Sequence, residues 1–438
     1  MIEAPSQASP MWQRIPLYVQ IAIALILAVA IGVLLGAGKP DPANIALINN
    51  LAVPCDLVLK VLRALATPLI LLAVLHTFLT ASIPGTAGRR LLILLLTNTV
   101  AAILIGLLVA NILQPGRWGQ IKVPAGATES VTKLDPWSLL QNSVPGSILQ
   151  PLVENNVIQI IIIALSFGIV LRAFKAEQIA QNRTDYLPLE QVITTLFDAV
   201  VRILEWVIAL VPLAVFGIVA KTVALQGFSP FKSLGVFIIA VLVALFLQAC
   251  YYLIRIQFGS WVSPRRFLMG GSDAFLTAFS TSSSTVTMPI TFRVLQEKIG
   301  LRESSASLGA LVGSNFNNDG TALYEAMAAL FIAQVLGQHL ALGQQLIIVL
   351  TSIVASVGAA GIPNAGLVTM TLVFSSVGLP TEYIALLITV DWFLDRCRTA
   401  LNVMGDMTVS ALLDGKQKKP EVEIIVATSE SKGLGTVD

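Results

Sequence analysis

Between positions 391 and 406 the chain reads Asp-Trp-Phe-Leu-Asp-Arg-Cys-Arg-Thr-Ala-Leu-Asn-Val-Met-Gly-Asp, with three carboxylates and two guanidiniums in an apolar setting. At about 100° per residue, Asp391, Asp395, Arg398, Asn402 and Asp406 fall within about 80° of one another on a helix. Such a stripe can hold a zwitterion. Arg398 presents a planar fork suited to a carboxylate, and Asp395, one turn earlier, can receive an ammonium. Arg396 points about 160° away from Arg398, so it is not a redundant copy. The plainer alternative is an internal ion-pair network. Buried pairs of that kind stabilise poorly.

A second polar run is Asn317-Asn318-Asp319-Gly320-Thr321. Two amides and a carboxylate before a glycine favour local unwinding, which frees carbonyls to join side-chain oxygens around a hard cation. A surface helix cap is the alternative, which the apolar flanks disfavour. Glu325 follows in the same apolar helix. Burial favours the neutral form of a carboxyl, which suits a proton carrier, although it could equally partner an arginine. The run Ser280-Thr-Ser-Ser-Ser-Thr285 has no histidine or lysine base beside it, so nucleophilic catalysis and enzymatic function are not expected. Its hydroxyls and amides fit carboxylate binding at a half-helix N-terminus.

The elements that must position these residues are membrane helices. Of 438 residues, 55% are hydrophobic and 12% charged, and the mean hydropathy is +0.82. A soluble domain carries about 25% charged residues. The apolar pattern predicts spans near 15–37, 52–80, 90–113, 152–175, 191–225 and 233–256. Lys60 and Arg63 interrupt the second, and Pro68 can kink it. Arg14, Arg89-Arg90, Arg172 with Lys175 and Arg183, Arg265-Arg266 and Lys416 to Lys419 fall at alternate span ends. The positive-inside rule makes those ends and both termini cytoplasmic. The sequon Asn182-Arg-Thr184 then lies on a cytoplasmic loop and reads as chance. No small-residue cleavage site follows the first span, so it is expected to stay as a helix. Cys55, Cys250 and Cys397 form neither a disulfide framework nor a metal spacing, and His76 and His339 stand alone. A net charge of +2 offers no argument for a nucleic-acid partner, and none is expected.

The second half differs from the first. The serine-rich run and Gly358-Ala-Ala-Gly-Ile-Pro-Asn-Ala-Gly366 interrupt apolar segments too short to span alone. Both read as re-entrant hairpins, since irregular backbone at membrane depth must be buried or line a cavity. Each precedes a polar-studded helix, so 263–333 and 345–414 read as two copies of one hairpin-plus-helix unit.

Together these motifs resemble the glutamate transporter family, the dicarboxylate/amino acid:cation symporters. The serine-rich tip before Met288-Pro289, the Asn-x-Asp-Gly-Thr-Ala-Leu-Tyr segment at 317–324, the Gly-Ala-Ala-Gly-Ile-Pro tip and the closing Asp-x-x-x-Asp-x-x-Arg-Thr-x-x-Asn-x-x-Gly-Asp occur in the family's order. The resemblance implies an all-α polytopic fold: eight transmembrane helices, two re-entrant hairpins and inverted repeats. After a cytoplasmic 1–14, it implies scaffold helices in 15–80 and 114–225, with 114–151 extracellular. The transport domain would be 90–113 and 233–414, with hairpins at 263–297 and 345–376, and 415–438 a cytoplasmic tail. The scaffold would form a homotrimer in the cell (inner) membrane, and the transport domain would move as an elevator.

Carried over by motif, Asp395 resembles the ligand for the substrate amino group and Arg398 the ligand for an acidic side chain. Ser283, Ser284, Thr321, Gly366, Thr399 and Asn402 resemble the remaining substrate set. Asp406, Asn317, Asn402 and the Gly313 carbonyl resemble one sodium site. Asp319, Asn317, Asn98 and Thr99 resemble a deeper one, and backbone carbonyls at Asn315, Ser356, Val357 and Ala359 a third. Glu325 and Arg396 resemble residues tied to proton co-transport and potassium counter-transport in excitatory amino acid transporters. Two departures stand out: Asn318 replaces a methionine, and Leu95 stands where a tyrosine is usual near the deep site. The expected function is sodium-driven symport of L-glutamate or L-aspartate, with protons and potassium as further coupled ions. A neutral amino acid or C4-dicarboxylate carrier, or an ion channel, is the alternative.

Overall fold

The computed structural model describes residues 15–80, 85–118, 144–154, 156–358 and 365–418. Among these the fold is all-helical, without strands. The main helices are α1 Leu17–Leu34, α2 Val53–Thr80, α3 Gly85–Leu113, α4 Val157–Ala180, α5 Leu187–Ile208, α6 Val211–Gln226 and α7 Ser229–Gly259. They continue with α8 Pro264–Thr281, α9 Ser284–Val294, α10 Asp319–Val335, α11 Leu342–Gly358, α12 Ala365–Ser376 and α13 Ile384–Asp414.

Among the described residues, four stretches are long and apolar enough to cross a membrane, at Leu17–Leu34, Pro42–Thr80, Gly88–Arg117 and Ser229–Gly259. Apolar side chains face outward along them; Ile26, Leu104 and Phe246 are 71%, 53% and 67% exposed. An exterior of that kind needs lipid, not water. The span expected at 191–225 is broken in the middle. It is two helices, α5 and α6, bent by 41°. Pro212 opens α6 within its first turn, where a missing N–H costs no helical bond.

Packing falls into two neighbourhoods. In one, α1 packs on α6, and α2 packs on α4, α5 and α6. In the other, α13 packs on α7, α8 and α10, while α3 packs on α10 and α7. Gln334 joins α10 to α3 by donating to Ala110 O at 3.0 Å and accepting from Gly116 N at 3.0 Å. Asp414 closes the end of α13, accepting from Trp261 Nε1 at 2.6 Å and Arg302 Nε at 2.8 Å.

The first interrupted segment is a helix–tip–helix hairpin. Ser263 caps α8 by accepting from Arg266 N, and Pro264 follows at the first helical position. Ser282, at φ 54°, ends α8 in the left-handed region. Ser283 then caps α9 by accepting from Val286 N. A non-glycine residue in that region costs on the order of 1–2 kcal/mol, which its surroundings must offset. The second interrupted segment places α11 and α12 side by side; its tip, 359–364, lies outside the described residues.

Candidate functional site

Helix α13 carries the stripe, and its polar face is buried. Arg398 is 0% exposed, Asp391 and Asp406 1% and Asp395 6%. Arg398 Nη2 donates to Asp395 Oδ1 at 2.7 Å. Nη1 lies 2.9 Å from Asp391 Oδ1, an ion pair by distance though not aligned as a hydrogen bond. The guanidinium stacks on Tyr324, its carbon 4.0 Å from the ring centroid. Arg398 Nε has no hydrogen-bond partner among the described residues. The stripe is thus an ion-pair network whose cation retains donor capacity. Removing one partner from such a buried pair costs about 3–5 kcal/mol.

The expected unwinding occurs at Asn317 and Asn318, which leave helical geometry at ψ 67° and 51° between a short helix at Gly313–Phe316 and α10. Gly320 sits inside α10, not at the break. Its role is close approach: a Cβ there would meet Arg398 O at 2.8 Å. The gap lets Gly320 N donate to Asn402 Oδ1 at 2.8 Å. Asn402 Nδ2 in turn reaches Asn318 Oδ1 at 3.3 Å and Thr321 Oγ1 at 3.4 Å. Gly366 brings the start of α12 against the same place, where a Cβ would lie 3.4 Å from Arg398 Nη2 and 3.3 Å from Thr321 Cγ2. Arg398, Thr321, Asn402 and Gly366 therefore share one location.

The remaining expected substrate residues differ in their contacts. Ser284 Oγ donates to Ser314 O at 3.1 Å, and Thr399 Oγ1 donates back to Asp395 O at 2.8 Å. Asp395, Arg396, Trp392 and Ser282 line a cavity of about 290 Å³ whose opposite wall includes Tyr18 and Glu205.

Of the expected cation ligands, Asn317 Oδ1 and Asp406 Oδ1 are buried acceptors without a hydrogen-bond partner among the described residues. That is the donor set a partly dehydrated hard cation fits. Gly313 O accepts from Asn317 N at 2.7 Å and keeps its second lone pair. Ser356 O accepts from Asn318 Nδ2 at 2.9 Å. Asn315 and Val357 lie in helical backbone, and Ala359 is outside the described residues. At the deep position Thr99 Oγ1 donates to Asp319 Oδ1 at 2.6 Å, and Tyr252 donates to Asp319 Oδ2. Asn98 Oδ1 accepts from Arg255.

Glu325 is 0% exposed and accepts from Thr369, on α12. Arg396 points away from the stripe as its helical angle requires. Its Nη1 donates to Phe279 O at 2.9 Å and Ser280 O at 2.7 Å, capping the end of α8, and its guanidinium carbon lies 4.7 Å from the Tyr18 ring centroid.

The model of the sodium:dicarboxylate symporter family matches residues 17–416. The chain belongs to that family. Its relatives include excitatory amino acid transporter 3 of Oryctolagus cuniculus, 29% identical over 93% of this chain and 87% of the relative. Excitatory amino acid transporter 4 of Mus musculus is 32% identical over 93% and 85%, and excitatory amino acid transporter 1 of Ambystoma tigrinum 30% over 89% and 81%.

Sequence reasoning on this family member missed Tyr324, Tyr252, Arg255 and Thr369. Tyr324 stood inside a motif already singled out. The others join the site only through partners on distant helices, and no local spacing marks them.

Proposed function

We propose that this symporter-family chain is a secondary active carrier of acidic amino acids, L-glutamate or L-aspartate, driven by sodium. The observation that carries this reading is Arg398, buried between Asp391 and Asp395, with Gly366 so placed that a side chain there would meet it. Within this buried set Arg398 can take a substrate carboxylate and Asp395 a substrate ammonium. The ammonium goes to Asp395, and the side-chain carboxylate goes to Arg398. The α-carboxylate goes to Asn402, Thr399, Thr321 and the Ser283–Ser284 tip at the start of α9. A neutral amino acid would leave Arg398 without an anion, and a C4-dicarboxylate would leave Asp395 without a cation. A channel would line an open path with these charges, whereas here they pair internally.

Sodium is cargo. One ion is assigned to Asp406, Asn317, Asn402 and the Gly313 carbonyl, supported by the two unpartnered acceptors. A second is assigned to carbonyls of Asn315, Ser356, Val357 and Ala359. Glu325 carries a proton, and Arg396 supports potassium counter-transport. Eight spans and two hairpins divide into a trimerising scaffold, 15–80 and 114–225, and a moving transport domain, 90–113 and 233–414, with both termini cytoplasmic.

Proteoliposome uptake tests the reading. Inward sodium should concentrate aspartate or glutamate, faster with internal potassium than with choline. Arg398→Cys should abolish that uptake yet still bind a neutral amino acid with sodium, which also establishes that the variant folds. Acidic uptake undiminished in Arg398→Cys would sink the assignment.

A further inference from the structure

The oxygens around Asp319 are engaged differently from those around Asp406. Near Asp406, Asp406 Oδ1 and Asn317 Oδ1 have no partner among the described residues, Asn317 being the residue the two expected sites share. At Asp319 both carboxylate oxygens already accept hydroxyl protons, Oδ1 from Thr99 at 2.6 Å and Oδ2 from Tyr252. Asn98, expected there as a cation ligand, turns its Oδ1 to Arg255 Nη1, and its unpartnered atom is the donor Nδ2. Flipping that amide would set a donor against the guanidinium, so the arginine fixes the orientation. Leu95, one turn before Asn98 and Thr99, brings no side-chain oxygen.

Arg255 is held in place. Its carbon lies 5.5 Å from the ring centroid of Tyr251, one turn earlier on α7. Gln248, one turn earlier again, donates to Asn98 O at 3.3 Å. The guanidinium is joined to Asn98, and the next residue, Thr99, donates to Asp319, so the charge sits beside the Asp319 set. An arginine stays protonated at any physiological pH, so the charge is permanent.

The geometry points to Arg255 as a tethered cation that balances the Asp319 carboxylate in place of one co-transported sodium ion. This rests on the symporter reading and refines its ion coupling. A diffusible cation at Asp319 would face like-charge repulsion from the guanidinium and would have to share Asn98's oxygen with it. The carrier therefore moves fewer sodium ions per substrate than three complete sites would allow.

The test uses the full chain in proteoliposomes with radiolabelled sodium and aspartate. The wild-type flux ratio should be about two sodium ions per substrate, since linkage counts only ions that bind and dissociate. A ratio of about three overturns the inference. Arg255→Gln should steepen the sodium dependence of aspartate binding, the log–log slope rising by about one, while Arg255→Lys keeps the wild-type slope. An unchanged slope in a folded, binding-competent Arg255→Gln also overturns it. If that variant does not fold, the wild-type ratio decides alone. No sodium-driven uptake by the wild type would instead sink the symporter reading, and this inference with it.

Discussion

At the scale of single residues, Glu325 is the clearest case of a buried carboxylate with work to do. One oxygen accepts from Thr369, and Oε2 has no hydrogen-bond partner among the described residues. An ionised carboxylate in that setting is costly, which supports the proposed proton coupling at Glu325. Glu325→Gln keeps an acceptor for Thr369 but can carry no proton. It should flatten the dependence of net uptake on external pH while leaving substrate exchange intact. A variant that keeps the wild-type pH profile would place the proton elsewhere. The α13 stripe is legible in the sequence because it needs only helical arithmetic. Asp391, Asp395, Arg398, Asn402 and Asp406 are all buried on the face that angle assigned. Arg255 and Thr369 are not legible there, because each acquires meaning from a residue more than forty positions away.

At the scale of elements, the break at Asn317–Asn318 and the packing of α10 on α13 belong to one device. The unwound pair turns Asn318 toward Ser356 and Asn402, and the absent side chain at Gly320 lets the two helices meet at Arg398 O. The sequence marks this glycine as a helix breaker, but the structure uses it as a spacer. Periodicity within one helix cannot distinguish those roles. Gly320→Ala would insert a Cβ 2.8 Å from Arg398 O. Overpacking of that kind costs about 1–3 kcal/mol. A helix gain of up to ~1 kcal/mol for replacing glycine does not offset it. The thermal midpoint of the purified variant should fall and aspartate binding should weaken, because Asn402 and Arg398 lose their spacing. An equal or higher midpoint would show that the helices separate freely. The bend between α5 and α6 has a similar lesson. Hydropathy sees one apolar run, and only the proline's place in the first turn of a new helix explains why the chain turns.

At the scale of the whole molecule, the two packing neighbourhoods meet along a surface that includes a cavity. Glu205 on α5 and Thr281 at the end of α8 line it from opposite sides. If transport carries the α13 neighbourhood past the α2 neighbourhood, that surface must slide, and a covalent tie across it must stop turnover without destroying the site. Cys55, Cys250 and Cys397 are free and would first be replaced. In that background, Glu205→Cys with Thr281→Cys joined by a reducible bifunctional reagent should abolish uptake, and reduction should restore it. Sodium-dependent aspartate binding in detergent should survive the cross-link, because Arg398 and Asp395 share helix α13 and Asn402 reaches α10 within one neighbourhood. Full uptake by a completely cross-linked protein would rule out sliding at this surface. Transport would then have to come from the hairpins opening in turn around a fixed site. The two outcomes separate an elevator from a pair of gates in a carrier whose binding chemistry is the same in both.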